Sequence, residues 1–218
     1  MMYIMVRKKV IKNFQKIMKK KCILKPKRGF GGEGVKIISI KEDLNGESLY
    51  DFCHKNNYFA EELVVQHPKM ASLHPASVNT VRVLMVSGKP ISAALRMGCG
   101  GSDVDNAHSG GYFAGIDLET GIVCSYGINP KGVRIVRHPD TGIIIPGFEI
   151  PFFKDVLKLT VEASKVVDKL KIIAWDIAIT NDGPVFIEVN NLPAVSLNQM
   201  PFKEGIRKKV LDNLGIRR

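Results

Sequence analysis

Short apolar, β-branched runs alternate along the chain with segments rich in glycine and polar residues. These runs predict strands over residues 22–25, 35–40, 58–65, 80–86, 90–97, 112–117, 122–126, 172–180 and 185–189. Apolar residues at helical spacing predict helices over residues 5–20 and 152–170, and helices are also expected over 44–56 and 202–214. The chain is therefore rich in strands, with a few amphipathic helices among them.

The strongest local pattern is a predicted hairpin whose strands cover residues 172–180 and 185–189. The turn between them ends at Gly183, which supplies a positive φ angle. Each strand carries one acidic residue in apolar surroundings, Asp176 in the first and Glu188 in the second. Because an unpaired acid is costly to bury, both positions indicate a specific role.

Asp176, Glu188 and Asn190 predict a metal site on this hairpin. Glu188 and Asn190 are two residues apart and so lie on the same face of their strand, and pairing can bring Asp176 alongside them. Two carboxylates and an amide oxygen suit a hard cation such as Mg²⁺ or Mn²⁺. The alternative is a pair of solvated acids on the exposed face of an antiparallel hairpin.

A glycine-rich segment, KPKRGFGGEG, separates the first two predicted strands. Gly31, Gly32 and Gly34 carry no side chains, so backbone N–H groups can close around phosphate oxygens. Lys25 at the end of the first strand can reach the same phosphates as a point charge. No GK[ST] sequence follows, so this is not a Walker loop, and a flexible hairpin turn is the alternative.

Charged residues also interrupt other apolar strands. Glu61 and Glu62 are adjacent and therefore face opposite sides of their strand, so that one can face a pocket while the other is solvated. Arg82 and Arg96 lie in two strands predicted to form a second hairpin. Such arginines either pair with acids at the surface or hold an anionic group.

Composition restricts the class of protein. The chain has 218 residues, of which 45% are hydrophobic and 24% charged, as in ordinary globular proteins. No apolar run reaches the roughly 18–20 residues of a membrane span. The four cysteines form no CxxC pair, which fits reduced thiols better than a disulfide framework or a zinc site. We therefore expect a cytoplasmic protein without a transmembrane segment.

The net charge of +11 lies in the N-terminal segment. Residues 1–28 hold eleven Lys and Arg and no acid, whereas residues 29–218 hold 21 of each sign. The body is therefore not a basic nucleic-acid-binding domain, and we expect no nucleic-acid partner. The basic helix predicted over 5–20 packs on the domain, makes weak peripheral contact with an anionic membrane, or is the remnant of a larger N-terminal region.

Five motifs, in this order, resemble the ATP-grasp superfamily: KPKRGFGGEG, AEELVV, NTVRVLMV, DNAHSGG and WDIAI…GPVFIEVNNLP. The set most resembles the sugar-transfer-associated ATP-grasp proteins of bacterial surface-polysaccharide genes, and it is similar to the ribosomal-protein glutamate ligases. The resemblance implies an α+β, ATP-grasp fold, in which two α+β lobes with antiparallel sheets grip ATP. It implies a helix over 1–21, a small lobe over 22–66 and a larger lobe over 67–218, with the usual N-terminal lobe missing or reduced.

The same resemblance implies roles for individual residues. Those similar to the ATP phosphate contacts are Lys25, Gly31, Gly32 and Gly34. Those similar to the hinge that receives adenine are Glu61, Glu62, Leu63 and Val64. Those similar to the Mg²⁺ ligands are Asp176, Glu188 and Asn190. Those similar to the groups that steady the acyl phosphate or γ-phosphate are Arg82, Arg96 and Asn106.

The implied reaction is ATP-dependent activation of a carboxylate to an acyl phosphate, followed by attack of an amine. The implied partners are ATP, Mg²⁺ and small-molecule or glycan-linked carboxylate and amine substrates, in surface-polysaccharide modification. Asp176→Ala or Glu188→Ala is then expected to abolish turnover and leave the fold largely intact. The alternatives are a catalytically weak or truncated nucleotide-binding module that needs a partner, and a structural or membrane-peripheral protein.

Overall fold

A computed structural model describes residues 21–28, 34–39, 44, 48–100 and 110–216 of the chain. Several predicted features lie outside these residues: the helix over 5–20, Gly31, Gly32 and Asn106. The chain divides into two compact units, Met1–Val64 and Val65–Arg218.

The first unit contains a three-stranded antiparallel sheet of order β2-β1-β3. Its strands are β1 (Lys21–Pro26), β2 (Lys36–Ser39) and β3 (Tyr58–Glu62), and its helix is α1 (Leu49–Asn56). Helix α1 begins after Ser48, whose hydroxyl accepts a hydrogen bond from Asp51 N over 3.1 Å. It ends at Asn57, whose φ of 56° provides a left-handed cap.

The sheet of the first unit has two different faces because side chains alternate along each strand. One face carries Cys22 and Leu24, which pack with Leu49 of α1 in a small core. The other face carries the five residues that the strand register aligns across the sheet: Ile23, Lys25, Ile37, Phe59 and Glu61. Ile37 and Phe59 are 51% and 40% exposed, so we call this face the open face.

The second unit is built on a seven-stranded antiparallel sheet of order β10-β9-β4-β5-β6-β7-β8. Its strands are β4 (Thr80–Val86), β5 (Lys89–Met97), β6 (Tyr112–Ile116), β7 (Gly127–Ile128), β8 (Arg134–Ile135), β9 (Ile172–Thr180) and β10 (Gly183–Asn190). Its described helices are α2 (Pro68–Leu73), α3 (Phe153–Val166), α4 (Ser196–Gln199) and α5 (Arg207–Leu214).

One face of this sheet forms the main core with α3. Val83, Leu95 and Trp175 from the central strands pack with Phe153 and Val156 of the helix. Each large apolar side chain buried in this way contributes about 1.5–3 kcal/mol. This packing fixes the central strands and leaves their alternate side chains on the opposite face.

Two smaller apolar clusters cover parts of that opposite face. Leu84 and Ala174 pack with Ile206 and with Val210 of α5. A separate cluster contains Phe113 of β6, Ile128 of β7 and Leu197 of α4. The remaining central positions of this face carry Arg82, Arg96 and Asp176, which we call the charged face.

The predicted elements agree with the structure except in three places. The strand predicted over 122–126 is reduced to isolated bridges, because the Ser125 hydroxyl accepts the hydrogen bond of Gly115 N over 2.8 Å. The helix predicted over 202–214 begins only at Arg207, after a turn in which Lys203 has a φ of 55°. The helix predicted over 44–56 begins at Leu49, after its Ser48 cap. No helix in the described part of the chain is long and apolar enough to cross a membrane.

Candidate active site

Asp176 lies at the centre of the charged face, and its side chain is almost fully buried. The register places it opposite Arg82 of β4 on one side and opposite Glu188 of β10 on the other. Arg82 Nε donates to Asp176 Oδ1 over 2.6 Å and Arg82 Nη2 donates to Oδ2, which makes a two-point contact. Arg96 Nη1 of β5 donates to the same Oδ2 over 2.8 Å. Both oxygens of Asp176 are therefore bonded to arginine.

A β-bulge in β10 places Glu188 beside Asp176. At the start of β10 the register sets Phe186 opposite Ile177. The register then shifts between Phe186 and Glu188, so that Glu188 lies opposite Asp176. Without the inserted residue Glu188 would lie opposite Trp175, on the core face of the sheet.

Asn190 connects the two acids. Its Nδ2 donates to Glu188 Oε1 over 3.0 Å and to Asp176 Oδ2 over 3.3 Å. The Glu188 side chain is 56% exposed, with its Oε1 3.8 Å from Arg82 Nη2. The structure thus brings together five predicted site residues: Arg82, Arg96, Asp176, Glu188 and Asn190. Sequence reasoning assigned them to two separate groups and did not foresee the bonds between the arginines and Asp176.

The two acids of the cluster have opposite pKa shifts. Burial raises the pKa of Asp176, but the hydrogen bond from Arg82 and the charges of Arg96 and Arg82 outweigh it and hold that pKa below its ordinary value. Burial and the negative charge of Asp176 raise the pKa of Glu188. Two arginines and two ionised acids give the cluster no net charge, so it is electrostatically balanced before any ligand arrives.

The oxygen donors of the cluster fit a hard divalent cation. Two carboxylates and an amide side chain within hydrogen-bonding distance of one another provide the oxygen ligands that Mg²⁺ takes. Among the described residues, no group of three or more His, Cys, Asp or Glu is arranged for a metal. The candidate donor set therefore depends on Asn190 as well as on the two acids, and Glu188 is its exposed member.

The open face of the first unit holds a second predicted set. Lys25 Nζ lies 2.5 Å from Glu61 Oε2, with side-chain exposures of 21% and 43%. Glu62 is exposed on the other face of the sheet, as expected for adjacent strand residues. Leu63 and Val64 follow β3 and are half-buried. The structure therefore joins Glu61, and not Glu62, to Lys25.

Gly34 is the one predicted loop glycine within the described residues. Its φ of 73° lies in the left-handed region, and an added Cβ would come within 3.2 Å of Pro26 Cγ. Both the backbone conformation and the close approach therefore favour glycine at this position.

Sequence reasoning missed a buried polar cluster at the start of the 98–111 segment. His74 Nδ1 lies 2.9 Å from Ser77 Oγ, and His74 Nε2 lies 3.5 Å from Asp140 Oδ2. His138 Nε2 lies 2.8 Å from the carbonyl oxygen of Gly98. The residues come from separate loops, so no local sequence pattern announces them. The cluster fixes the backbone where β5 ends.

A family model described as sugar-transfer associated ATP-grasp matches residues 1–215 of the chain. The chain belongs to the sugar-transfer associated ATP-grasp family. A search among curated proteins found no match. The α+β, ATP-grasp architecture predicted from the motifs is therefore confirmed.

Solved ATP-grasp structures show the same fold at low sequence identity. The ATP-grasp ligase PsnB complexed with minimal precursor, Mg and ADP matches with a TM-score of 0.53 and 14% identity, over 94% of this chain and 48% of that chain. The D-alanine–D-alanine ligase of Bacillus anthracis gives 0.46 and 16%, over 94% and 52% of the two chains. D-cycloserine synthetase DcsG gives 0.48 and 12%, over 94% and 59%. This ATP-grasp chain thus spans about half the length of PsnB.

Proposed function

We propose that the chain is an ATP- and Mg²⁺-dependent ligase that activates a carboxylate as an acyl phosphate for attack by an amine. The charged face is the observation that carries the proposal. It combines two nearly buried arginines, which can stabilise phosphoryl charge, with two acids and an amide that can hold a cation. Membership of the ATP-grasp family supports the same reading.

Lys25 and the glycine-rich loop are the proposed phosphate contacts. Lys25 has exchanged water for Glu61 at 2.5 Å, and both side chains remain partly exposed, so a phosphate can compete for the lysine. Gly31, Gly32 and Gly34 would supply backbone N–H groups. Glu61, Glu62, Leu63 and Val64 are the proposed adenine contacts, and Glu61 is favoured over Glu62 because it shares the open face with Lys25.

Asp176, Glu188 and Asn190 are the proposed ligands of Mg²⁺. When bound, the cation would neutralise charge on the ATP phosphates. Arg82 and Arg96, with Asn106, would hold the oxygens of the transferring phosphoryl group. Because Asp176 already fixes both guanidinium groups, little reorganisation is needed when the anion arrives.

The proposed chemistry balances without a side-chain nucleophile. An oxygen of the substrate carboxylate attacks the γ-phosphorus, the bond from that phosphorus to the bridging oxygen breaks, and ADP leaves. The amine nitrogen then attacks the acyl carbon, the carbon–oxygen bond to phosphate breaks, and the nitrogen loses a proton. The finer assignments are also proposals: a glycan-linked or small-molecule substrate, surface-polysaccharide modification and a cytoplasmic location, where ATP is available.

Calorimetric titration of the full chain with ATP, with and without Mg²⁺, tests the proposal. We expect binding that needs Mg²⁺ and is lost in Glu188→Gln, which removes a ligand charge and keeps the side-chain shape. ADP release with a pool of carboxylates and amines should fall by at least about 10²-fold in that variant.

The matched control is Glu162→Gln, an exposed acid on α3 that pairs only with Lys165 in the described structure. It should bind Mg-ATP like the unmodified chain. Absence of Mg-ATP binding by a folded, unmodified chain would sink the proposal, and so would normal turnover in Glu188→Gln.

A further inference from the structure

A cleft in the second unit is independent of every predicted site residue. It has a volume of about 340 Å³ and is lined by residues from two chain segments: Cys124, Ser125 and Tyr126 from one, and Pro201, Phe202 and Lys203 from the other. This volume falls at the lower end of the range of about 300–1,000 Å³ found for small-molecule sites. The cleft is therefore the size of a site for one small ring-bearing ligand.

Close packing against β6 holds the cleft in place. A Cβ at Gly115 would lie 2.6 Å from Phe202 Cζ, so the Phe202 ring lies directly on the backbone of β6. Gly115 N donates to Ser125 Oγ over 2.8 Å, and Cys124 N donates to Gly115 O over 2.9 Å. Gly115 thus joins both lining segments, and only a glycine permits the approach of Phe202.

Lys203 gives the cleft its charge. Its Nζ lies 5.9 Å from the centroid of the Tyr126 ring, and Tyr126 is 46% exposed. Lys203 has a φ of 55°, a conformation that costs a residue with a Cβ about 1–2 kcal/mol. In the described structure it forms no ion pair, and it is the one charged residue of the lining. A cation held over an exposed aromatic ring suits an anionic ligand with a flat ring.

The cleft lies on the same face of the sheet as the arginines. Arg96 pairs with Phe113 of β6, and Gly115 lies two residues further, roughly 7 Å along the strand. The Phe202 ring occupies the side of Gly115 on which a Cβ would point, which is the side of Arg96. A sugar-sized ligand in the cleft therefore has one end directed toward the charged face.

We propose that this cleft binds the ring and a non-reacting anionic group of a sugar substrate, with Tyr126 stacking on the ring and Lys203 pairing with the anion. The inference rests on the proposed function, because it treats the charged face as the reaction centre. The flat faces of Tyr126 and Phe202 match the C–H face of a pyranose, and Ser125 adds a hydroxyl for hydrogen bonding. The family's description as sugar-transfer associated agrees with that ligand class.

Alkylation of Cys124, followed by peptide mass spectrometry at alkaline pH, tests the proposal without ATP. Cys124 is exposed and lines the cleft, whereas half-buried Cys99 lies elsewhere and serves as an internal control. The probes are glucuronate, glucose 6-phosphate, neutral glucose and benzoate. Glucuronate or glucose 6-phosphate at ten times its Kd should slow alkylation of Cys124 by about tenfold and leave Cys99 unchanged. The stronger of the two identifies the anionic group as carboxylate or phosphate.

Two variants and one control make the result specific. Lys203→Ala should remove most of the protection by the anionic sugars, and Tyr126→Leu should weaken it for every sugar. Lys131→Ala, an exposed lysine outside the cleft, should behave like the unmodified chain. Equal protection by glucose and glucuronate, protection by benzoate alone, or full protection in Lys203→Ala would overturn the proposal. Because Mg-ATP binding is measured separately, failure here is distinguishable from failure of the proposed ligase function.

Discussion

The two units each place an opposite-charge pair across neighbouring antiparallel strands, but in different environments. Lys25 and Glu61 are 21% and 43% exposed, whereas the side chains of Arg82 and Asp176 are 8% and 1% exposed. A pair that water still reaches contributes about 0–1 kcal/mol. Removing one partner of a buried pair costs about 3–5 kcal/mol, since the remaining charge is left uncompensated.

This difference separates two ways of holding charges for a ligand. On the charged face the arginines must be satisfied at all times, so Asp176 serves the fold as well as the proposed chemistry. On the open face Lys25 and Glu61 can each change partners at little cost to the fold. Removing an acid should therefore destabilise the second unit strongly and the first unit hardly at all.

The largest effect is expected for Asp176→Ala. It leaves the guanidinium groups of Arg82 and Arg96 without their carboxylate, so the free energy of unfolding should fall by about 3–5 kcal/mol. Urea denaturation followed by fluorescence measures this directly, because Trp175 is the only tryptophan and lies in the core of the second unit. The expectation that Asp176→Ala leaves the fold largely intact is thus corrected by the burial of Asp176.

A double variant separates loss of charge balance from loss of packing. Arg82→Met with Asp176→Leu removes the buried pair together and should recover part of the lost stability. A loss below about 1 kcal/mol in Asp176→Ala would contradict the structural role of the cluster.

A smaller effect is expected from pH at the buried His74. Burial and the nearby His138 lower the pKa of His74, and Asp140 offsets this only in part. A histidine whose folded pKa is depressed contributes stability that is fully present above its unfolded pKa of about 6.5 and is lost as pH falls through its folded pKa. Stability of the second unit should therefore decline from neutral toward mildly acidic pH, by at most about 1.4 kcal/mol per pH unit for this one proton.

Urea denaturation at several pH values, again followed at Trp175, measures that slope. His74→Gln should flatten it, because glutamine takes up no proton. His54→Gln, at an exposed position of α1, should leave it unchanged. An identical slope in His74→Gln and the unmodified chain would assign the acid sensitivity to other groups.

The sequence predicts the two regions to different depths. The hairpin at Gly183 and the shared face of Glu188 and Asn190 follow from local alternation and turn residues. The bulge after Phe186 does not, because inserting one residue in a strand leaves no clear local signal, although it decides which face Glu188 occupies. Motif order was enough to predict the fold, whereas the bonds within the site required the register.

Pairing between distant strands is the other feature that local reasoning cannot supply. Arg82 and Asp176 lie far apart in the sequence and meet only because β9 inserts between β10 and β4. Each was predicted as a site residue by itself, one for phosphate and one for metal. Their contact required the strand order, which neither alternation nor composition contains.

The smallest change in stability is expected for Glu61→Gln on the open face. Because its bond to Lys25 is partly exposed, amide hydrogen exchange of β1 should change by less than about 1 kcal/mol. The adjacent Glu62→Gln is the matched control, since Glu62 is exposed on the opposite face and forms no ion pair within the described residues. Under the proposed function Glu61→Gln should alter ATP affinity while Glu62→Gln should not, as measured by calorimetry. Equal ATP affinities in both variants would remove Glu61 from the nucleotide site, and the reverse outcome would identify Glu62 as the hinge acid, so this pair decides what the fold alone leaves open.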